Sequence, residues 1–404
     1  MQLENTGRQA RAPGWLDDQR IQVRLAVFIW CVPFLVITAL VALNPAHRSV
    51  TVFYHQASAD WWAGKELYQG RHGFHYLPQF AVLFSPFHSL PVPLGDILWR
   101  FCAAALLATG VWRFQREQFG ADIARAFLYA SLFTVPLCLP ALRNGQANGI
   151  FAALTLNAAA CLPRRQWWTA AMLIVLAVGI KLLGVVLLLL SVAVYAPLRW
   201  RLVPALAALA LFPFLFSPAD YVIAQYRACL AHMQQCSTFT EHSFADIGGI
   251  IRTFGWELPN GISKLMRVAA GGLALGLWRT GAPRLREPFR AMWLLALSVG
   301  YLMLFNPMNE PNSYVILAPA LGLWAVAALN AAPTRRFGWL TASISLSMAL
   351  LPNLMRPMFG NNFALFWHPV MTFVFMAMLV IWVRRLDSPF VSFSRIEVSH
   401  STST

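Results

Sequence analysis

The chain has 404 residues, of which 58% are hydrophobic and 12% charged, a balance that excludes an ordinary soluble fold of this length and places the protein in a membrane. Its 31 Lys and Arg against 16 Asp and Glu give a formal charge of +15, yet no basic tract is long enough for nucleic acid, so the excess fits cytoplasmic loops. Sixteen Trp and 29 Phe exclude a disordered chain, and six Cys are too few for a disulfide scaffold.

Residues 1–22 read as a polar cytoplasmic tail, because Arg8, Arg11, Arg20 and Arg24 precede or open the first apolar run and no small-residue cleavage site follows it. A retained anchor is expected there. Apolar runs at roughly 23–43, 94–112, 122–140, 148–162, 203–217, 263–279, 291–306, 313–332, 337–353 and 364–383 predict membrane helices. The apolar stretch 167–197 contains Gly179 and Lys181 at its middle and is divided into two short helices meeting near the lysine. The expected fold is an all-α polytopic bundle of about twelve transmembrane helices over residues 23–385, followed by a Ser-rich cytoplasmic tail at 386–404.

Arginine clusters test the topology: Arg113/Arg116/Arg125, Arg164/Arg165, Arg199/Arg201, Arg279/Arg284/Arg286/Arg290, Arg335/Arg336 and Arg384/Arg385. Neighbouring clusters enclose two predicted helices each, so all can share the cytoplasmic side with both termini. Residues 77–90 would upset this alternation if they crossed. That segment is short and carries Pro78 and Pro86, so it is expected as a juxtamembrane or re-entrant helix on the outer face. The outer face then holds a long first loop at about 44–93, a second at about 218–262, and the connection from Asn306 to Asn312.

Cys31, Cys102, Cys138 and Cys161 fall in apolar runs and read as small hydrophobes. Cys229 and Cys236 are seven residues apart in the second loop; a continuous helix would hold their α-carbons about 10 Å apart, so a disulfide between them requires a turn.

Four outer-face features carry candidate chemistry. Asp60 stands beside Trp61 and Trp62, and a carboxylate near indoles and bilayer can become a general base; the plainer alternative is an exposed acid with interfacial anchors. The turn from Arg143 through Gln146 to Asn148 offers a cation and amides suited to phosphate or sugar hydroxyls, or serves only as a connection. Lys181, amid Leu, Ile and Val, must face a cavity, an anion or an interface. Glu310 and Asn312 lie in a polar segment that also suits helix capping. His242-Ser243-Phe244-Ala245-Asp246 with Arg252 is a weaker constellation. No glycine loop of the Walker type, His-Glu-x-x-His helix or Cys-x-x-Cys pair occurs, so no cofactor is predicted and a need for divalent metal stays open.

In order along the chain, Asp60, the Leu-Tyr-x-Gly element from Leu67 to Gly70, Tyr76 with Pro78, the Gly-Gln-x-Asn turn from Gly145 to Asn148, Lys181, and the Asn-Pro-x-x-Glu-x-Asn-x-Tyr segment from Asn306 to Tyr314 resemble glycosyltransferase family 87. That family comprises polyprenol-phosphate-dependent mannosyltransferases of the GT-C class. Some members have His-containing pairs where this chain shows Asn312 and Tyr314. The resemblance implies a polyprenyl phosphate hexose donor, mannose favoured, a glycolipid or glycan acceptor, and inverting transfer on the outer face of the cytoplasmic membrane. Under it, Asp60 is the expected base, while Lys181 and Arg143 hold the donor phosphate. Trp61, His72, His75, Tyr76, Gln146, Asn148, Glu310 and Asn312 form the expected substrate-binding set, and the segment 77–90 would roof the lipid groove. The competing reading is a transporter or flippase of lipid-linked sugars, against which no internal repeat is found; a catalytically silent assembly subunit is a third.

Overall fold

A computed structural model describes residues 18–45, 47–69, 74–236, 244–360 and 362–385. The described residues are helical with no strands. In chain order the helices are α1 Gln19–Leu43, α2 Thr51–Trp62, α3 Pro78–His88, α4 Val92–Phe119, α5 Ile123–Asn144, α6 Ala147–Cys161, α7 Trp167–Ile180 and α8 Gly184–Val194. There follow α9 Ala196–Leu211, α10 Ala219–Cys236, α11 Ile247–Thr253, α12 Asn260–Gly281, α13 Phe289–Phe305, α14 Ala318–Leu329, α15 Arg335–Phe359 and α16 Asn362–Arg385.

Two helices form the centre. Every residue of α6 is buried, as are Ala318 to Ala328 of α14, and helices apolar all round belong inside a bundle. Small residues permit this packing. At Gly322 of α14 an added Cβ would lie 2.2 Å from Thr134 Oγ1 and 3.0 Å from the Ala130 carbonyl of α5, so only glycine lets the two backbones approach so closely. Around this centre, α1 packs on α5 and α4, α7 lies between α6 and α9, and α15 packs on α14, α5 and α16. The outermost helices turn apolar side chains outward: Phe28, Leu35 and Val36 on α1, and Leu350, Leu354 and Met358 on α15, are more than half exposed. A bundle with an apolar core and an apolar exterior suits a bilayer.

Among the described residues, five segments are long and apolar enough to cross a membrane: Gln19–Leu43, Val92–Asn144, Ala196–Leu215, Arg335–Phe359 and Asn362–Arg384. The sequence reading expects about twelve crossings. The difference lies in α6, α7, α8, α13 and α14, whose 11 to 17 residues fall short of the roughly 20 that a hydrocarbon core requires. It lies also in α12, which carries Lys264, Arg267 and Arg279. The apolar stretch 167–197 breaks at Lys181, where the chain turns extended (φ −147°) between α7 and α8. Residues 77–90 form the 11-residue α3, with Pro78 in its first turn, where proline costs no hydrogen bond. Several boundaries move: α9 begins at Ala196 rather than about 203, α4 runs on to Phe119 and α15 to Phe359. The first helix begins at Gln19, capped by Asp18, four residues before the expected start. The predicted helix 313–332 opens as a 3-10 turn at Pro311–Ile316 and becomes α14 only at Ala318. Cys229 and Cys236 belong to the one helix α10, and Cys229 is a buried free thiol.

Candidate active site

The site gathers where one set of helix connections meets: the 44–91 segment with α2 and α3, the α5–α6 turn, the α7–α8 break, and the Asn306–Ile316 connection. Its framework is the α5–α6 turn. Helix α5 ends at Gly145, left-handed at φ 65°, and a side chain there would meet Thr51 Cγ2 at 2.7 Å and Arg100 Cζ at 2.8 Å. Arg100 of α4, 1% exposed, donates from Nε to the Leu142 carbonyl at 3.1 Å and from Nη2 to the Arg143 carbonyl at 3.2 Å. It thereby satisfies carbonyls that the end of α5 leaves without helical partners. The guanidinium is held in turn by Asp96, 3.5 Å away and 1% exposed, whose carboxylate accepts from Thr51 Oγ1 at 2.8 Å and lies 3.1 Å from His55 Nε2. Trp99 Nε1 donates to the Gly145 carbonyl at 2.9 Å, so one face of α4 fixes both ends of the turn.

From this fixed turn project Gln146 and Asn148, the first residues of the site proper. Lys181 Nζ donates to Asn148 Oδ1 at 2.6 Å; Asn148 Nδ2 donates to Gln146 Oε1 at 3.0 Å and to Ser313 Oγ at 3.1 Å. Gln146 Nε2 donates to Glu310 Oε2 at 2.8 Å. Glu310 caps the 3-10 turn at 311–316: its side chain accepts the Ser313 N–H, and its own N–H donates to Ser313 Oγ at 3.3 Å. The result is a closed array of cation, amides, carboxylate and hydroxyl. It lines a cavity of about 330 Å³ together with Tyr54, His75 and Tyr76. The Tyr54 and Tyr76 hydroxyls are 2.8 Å apart, and Tyr54 Oη accepts the Ala147 N–H at 3.1 Å. Burial pushes the Tyr54 phenol up to about 12 and that of Tyr76 well above its usual range, so both stay neutral hydroxyls.

A second cavity of about 890 Å³ shares Val50 and Glu310 with the first. Arg143 and Asn312 line this one, so the two expected phosphate partners, Lys181 and Arg143, stand in adjoining cavities with Glu310 between. His75, Tyr76, Gln146, Asn148, Lys181 and Glu310 are brought together as the sequence predicts.

Two predicted residues are not. Asp60 lines neither cavity; it is half-buried on α2, and both its carboxylate oxygens accept from Gln56 Nε2 at 2.9 Å. It shares a face of α2 with Phe53, seven residues earlier, which does line the first cavity. Trp61 is 1% exposed and packs edge-on against Tyr221 at 5.2 Å, so it is a core residue, while Trp62 is 53% exposed. His72 and His242 lie outside the described residues. Asp246 of the weaker constellation caps α11 by accepting from Gly249 N at 2.6 Å and pairs with Arg252 at 3.5 Å.

The Thr51–His55–Asp96–Arg100 group and Tyr54 escape a reading that looks only at polar loops. The available signal was the i, i+4 pair Asp96 and Arg100 within an apolar helix, since ionisable residues there are rare without a partner or a task. Among the described residues no group of three or more His, Cys, Asp or Glu is placed to hold a metal ion.

The comparisons with known proteins point the same way. A curated relative from Mycolicibacterium smegmatis, a polyprenol-phosphate-mannose-dependent alpha-(1-2)-phosphatidylinositol mannoside mannosyltransferase, is 26% identical over 83% of each chain. The family model of glycosyltransferase family 87 matches residues 74–307, a span running from the edge of the first cavity through the α5–α6 turn and Lys181 to Asn306. The chain therefore belongs to glycosyltransferase family 87 and is a membrane glycosyltransferase.

Proposed function

We propose that the protein transfers a hexose, mannose first, from a polyprenyl phosphate donor to a glycolipid or glycan acceptor, with inversion, on the outer face of the cytoplasmic membrane. The observation that carries this reading is the closed array Lys181–Asn148–Gln146–Glu310 lining a cavity beside an arginine-bearing one. Amides and a carboxylate suit sugar hydroxyls, and Lys181 and Arg143 flank the place where a phosphate would leave. The name of the mycobacterial relative supports the donor and a glycolipid acceptor. Sidedness is argued from charge: the arginine clusters named above fall at every second helix connection, and the site falls at the others. On this reading the shorter helices also cross, giving about twelve crossings.

The reaction divides as follows. The acceptor hydroxyl oxygen attacks the anomeric carbon while the bond from that carbon to the phosphate oxygen breaks. The hydroxyl proton goes to a carboxylate, and the departing phosphate monoester gains a negative charge that the cations offset. Asp60 is the proposed base. Its carboxylate is held by the neutral amide of Gln56 on the same helix and has no ion pair among the described residues, whereas Glu310 is tied by Gln146 into the array that holds Asn148 and Lys181. The face of α2 that carries Phe53 and Asp60 would then be the acceptor's approach. Glu310 as base is the second reading, favoured by its place in both cavities.

The test is transfer from radiolabelled polyprenyl phosphate mannose to a membrane-lipid extract by the purified protein in lipid, comparing wild type, Asp60→Asn and Glu310→Gln. A new product from wild type and not from Asp60→Asn is the expected result. Turnover retained by Asp60→Asn and lost by Glu310→Gln would move the base to Glu310. Donor crossing the bilayer without any product would overturn the transferase in favour of a flippase.

A further inference from the structure

The larger cavity lies among α5, α15 and α16 and the residues just after α1, and its walls differ in kind from those of the smaller one. Three arginines line it: Arg48, Arg143 and Arg356. Among the described residues none of the three is in an ion pair, and the one carboxylate on the wall, Glu310, is occupied with Gln146 and Ser313. Arg143 Nη1 is buried with no hydrogen-bond partner, while its Nη2 lies 3.3 Å from His47 Nδ1. A buried guanidinium nitrogen without a protein acceptor, as at Arg143, is completed by water or by an anion, and beside two further arginines the anion is the stronger partner. Arg48 sits in the left-handed region at φ 55°, where a residue other than glycine, Asn or Asp is uncommon and is kept against its local preference.

Position adds to this. Arg48 follows α1, Arg143 ends α5 and Arg356 lies in the last turn of α15, so all three cluster at the end of the bundle opposite the cytoplasmic arginine clusters. Cations collected away from the side that normally retains them call for a local cause. Beside polar residues such as Asn353 and the buried His368, the lining has an apolar stretch of Leu137, Pro140, Met348, Pro352 and Leu365. Outward of these, Leu354 and Met358 of α15 are 65% and 74% exposed. A charged wall leading into an apolar one matches a phosphate carried on a lipid better than a free anion.

We infer that this cavity is a lipid-phosphate site in which Arg48 and Arg356 act with Arg143. A phosphate ester on a membrane lipid supplies the anion that Arg143 Nη1 lacks and neutralises the cluster, and the lipid's apolar part follows α15 and α16. Under the proposed function two molecules bring such a group, the polyprenyl phosphate and an anionic glycolipid acceptor. The inference rests on that reading only for which of the two it is; the binding itself does not require turnover.

The experiment measures binding to the full chain in nanodiscs of phosphatidylcholine, with unglycosylated polyprenyl phosphate, phosphatidylglycerol and inorganic phosphate as separate probes. The variants are Arg356→Gln, the double variant Arg48→Gln/Arg356→Gln, and Lys264→Gln, an exposed lysine near the start of α12, as a charge control, each checked by its thermal unfolding midpoint; the single change carries the test if the double one does not fold. Weakening of one lipid by about tenfold or more in the double variant, with Lys264→Gln like wild type, is the expected result. Loss confined to polyprenyl phosphate identifies the donor side, and loss confined to phosphatidylglycerol the acceptor side. Both lipids binding the arginine variants as tightly as wild type would overturn the inference. So would a loss matched by Lys264→Gln, or inorganic phosphate binding as tightly as either lipid. Because no step depends on transfer, an inactive but lipid-binding protein would refute the transferase and leave this site standing.

Discussion

The two adjoining cavities handle polar groups in opposite ways. In the smaller one the site's side chains satisfy one another: Lys181, Asn148, Gln146, Glu310 and Ser313 are joined by hydrogen bonds of 2.6 to 3.1 Å. In the larger one three arginines face a common space without a carboxylate partner, and one guanidinium nitrogen is buried and unbonded. A closed array fixes direction and so suits a neutral ligand read by its hydroxyls, whereas unpaired cations suit charge. Glu310 stands on the wall of both; under the proposed function it would separate a region that reads sugar hydroxyls from one that reads an anion.

The change with the largest expected effect acts on neither cavity wall. Asp60→Asn is expected to lower turnover by about 10²- to 10⁴-fold with little change in donor binding, the ordinary range for loss of a general base. If both turnover and binding hold, the acid on the outer face of α2 is ornamental and the chemistry belongs wholly to the cavities. Steady-state rates at saturating donor, set beside donor affinity, separate the two.

Next in size is the clamp beneath both cavities. Arg100→Leu removes five donated hydrogen bonds, to the Leu142, Arg143 and Asp96 carbonyls and to Ser49 Oγ, and strands Asp96 in the core. Removing one partner of a buried pair costs about 3–5 kcal/mol, so a lower unfolding midpoint is expected. The double change Asp96→Asn/Arg100→Leu should recover part of that loss. Because the clamp sets the turn that carries Arg143 on one side and Gln146 and Asn148 on the other, binding in both cavities should weaken together; an effect on one alone would show that the cavities are positioned independently.

A smaller change sharpens the contrast within the array. Asn148→Ala removes the acceptor of the Lys181 ammonium and the donor to Gln146 and Ser313 while leaving the arginine cavity untouched. Loss of such a buried, charge-assisted bond is worth about 1.5–3 kcal/mol of stability, so a lower unfolding midpoint is expected together with weaker binding of the donor sugar. Polyprenyl phosphate without its sugar should bind this variant nearly as it binds wild type. Equal loss for both ligands would mean that Lys181 contributes more to holding the phosphate than the arginines do.

How much of this the sequence disclosed depends on whether a residue acts through its type or through its neighbours. Lys181 was legible because a lone charge in an apolar run must be explained wherever it sits, and the chain indeed breaks there. Gln146, Asn148 and Glu310 were legible because their spacing matches a family pattern, and they meet in one cavity. The separation of Arg143 from Lys181 was not legible, since sequence order says nothing of which wall of Glu310 each occupies. Trp61 reads as an interfacial anchor beside Trp62 or as part of the substrate-binding set, yet adjacent helical positions point about 100° apart, and Trp61 is the indole that packs inside against Tyr221. Arg48 and Arg356 lie 308 positions apart and share a cavity only because the start of the first loop and the end of α15 meet at one end of the bundle.

A paired charge elsewhere on the same end offers the gentlest test of the contrast between satisfied and unsatisfied groups. Asp246, in the connection that leads into α12, is 5% exposed, and burial raises its carboxyl to about 6 although the Gly249 N–H and Arg252 pull it down. A raised acid binds its proton more tightly folded than unfolded, so its favourable contribution is complete below the unfolded value of 3.8 and is lost as pH rises through about 6. The span of about two pH units corresponds to at most about 3 kcal/mol. Unfolding midpoints of wild type should therefore fall between pH 4 and pH 7 relative to those of Asp246→Asn, whose amide oxygen can still accept the Gly249 N–H but cannot ionise. Parallel curves would mean that Arg252 already compensates the carboxylate in full. Arg143, Arg48 and Arg356 have no ion-pair partner among the described residues, and the lipid phosphate proposed above would supply one.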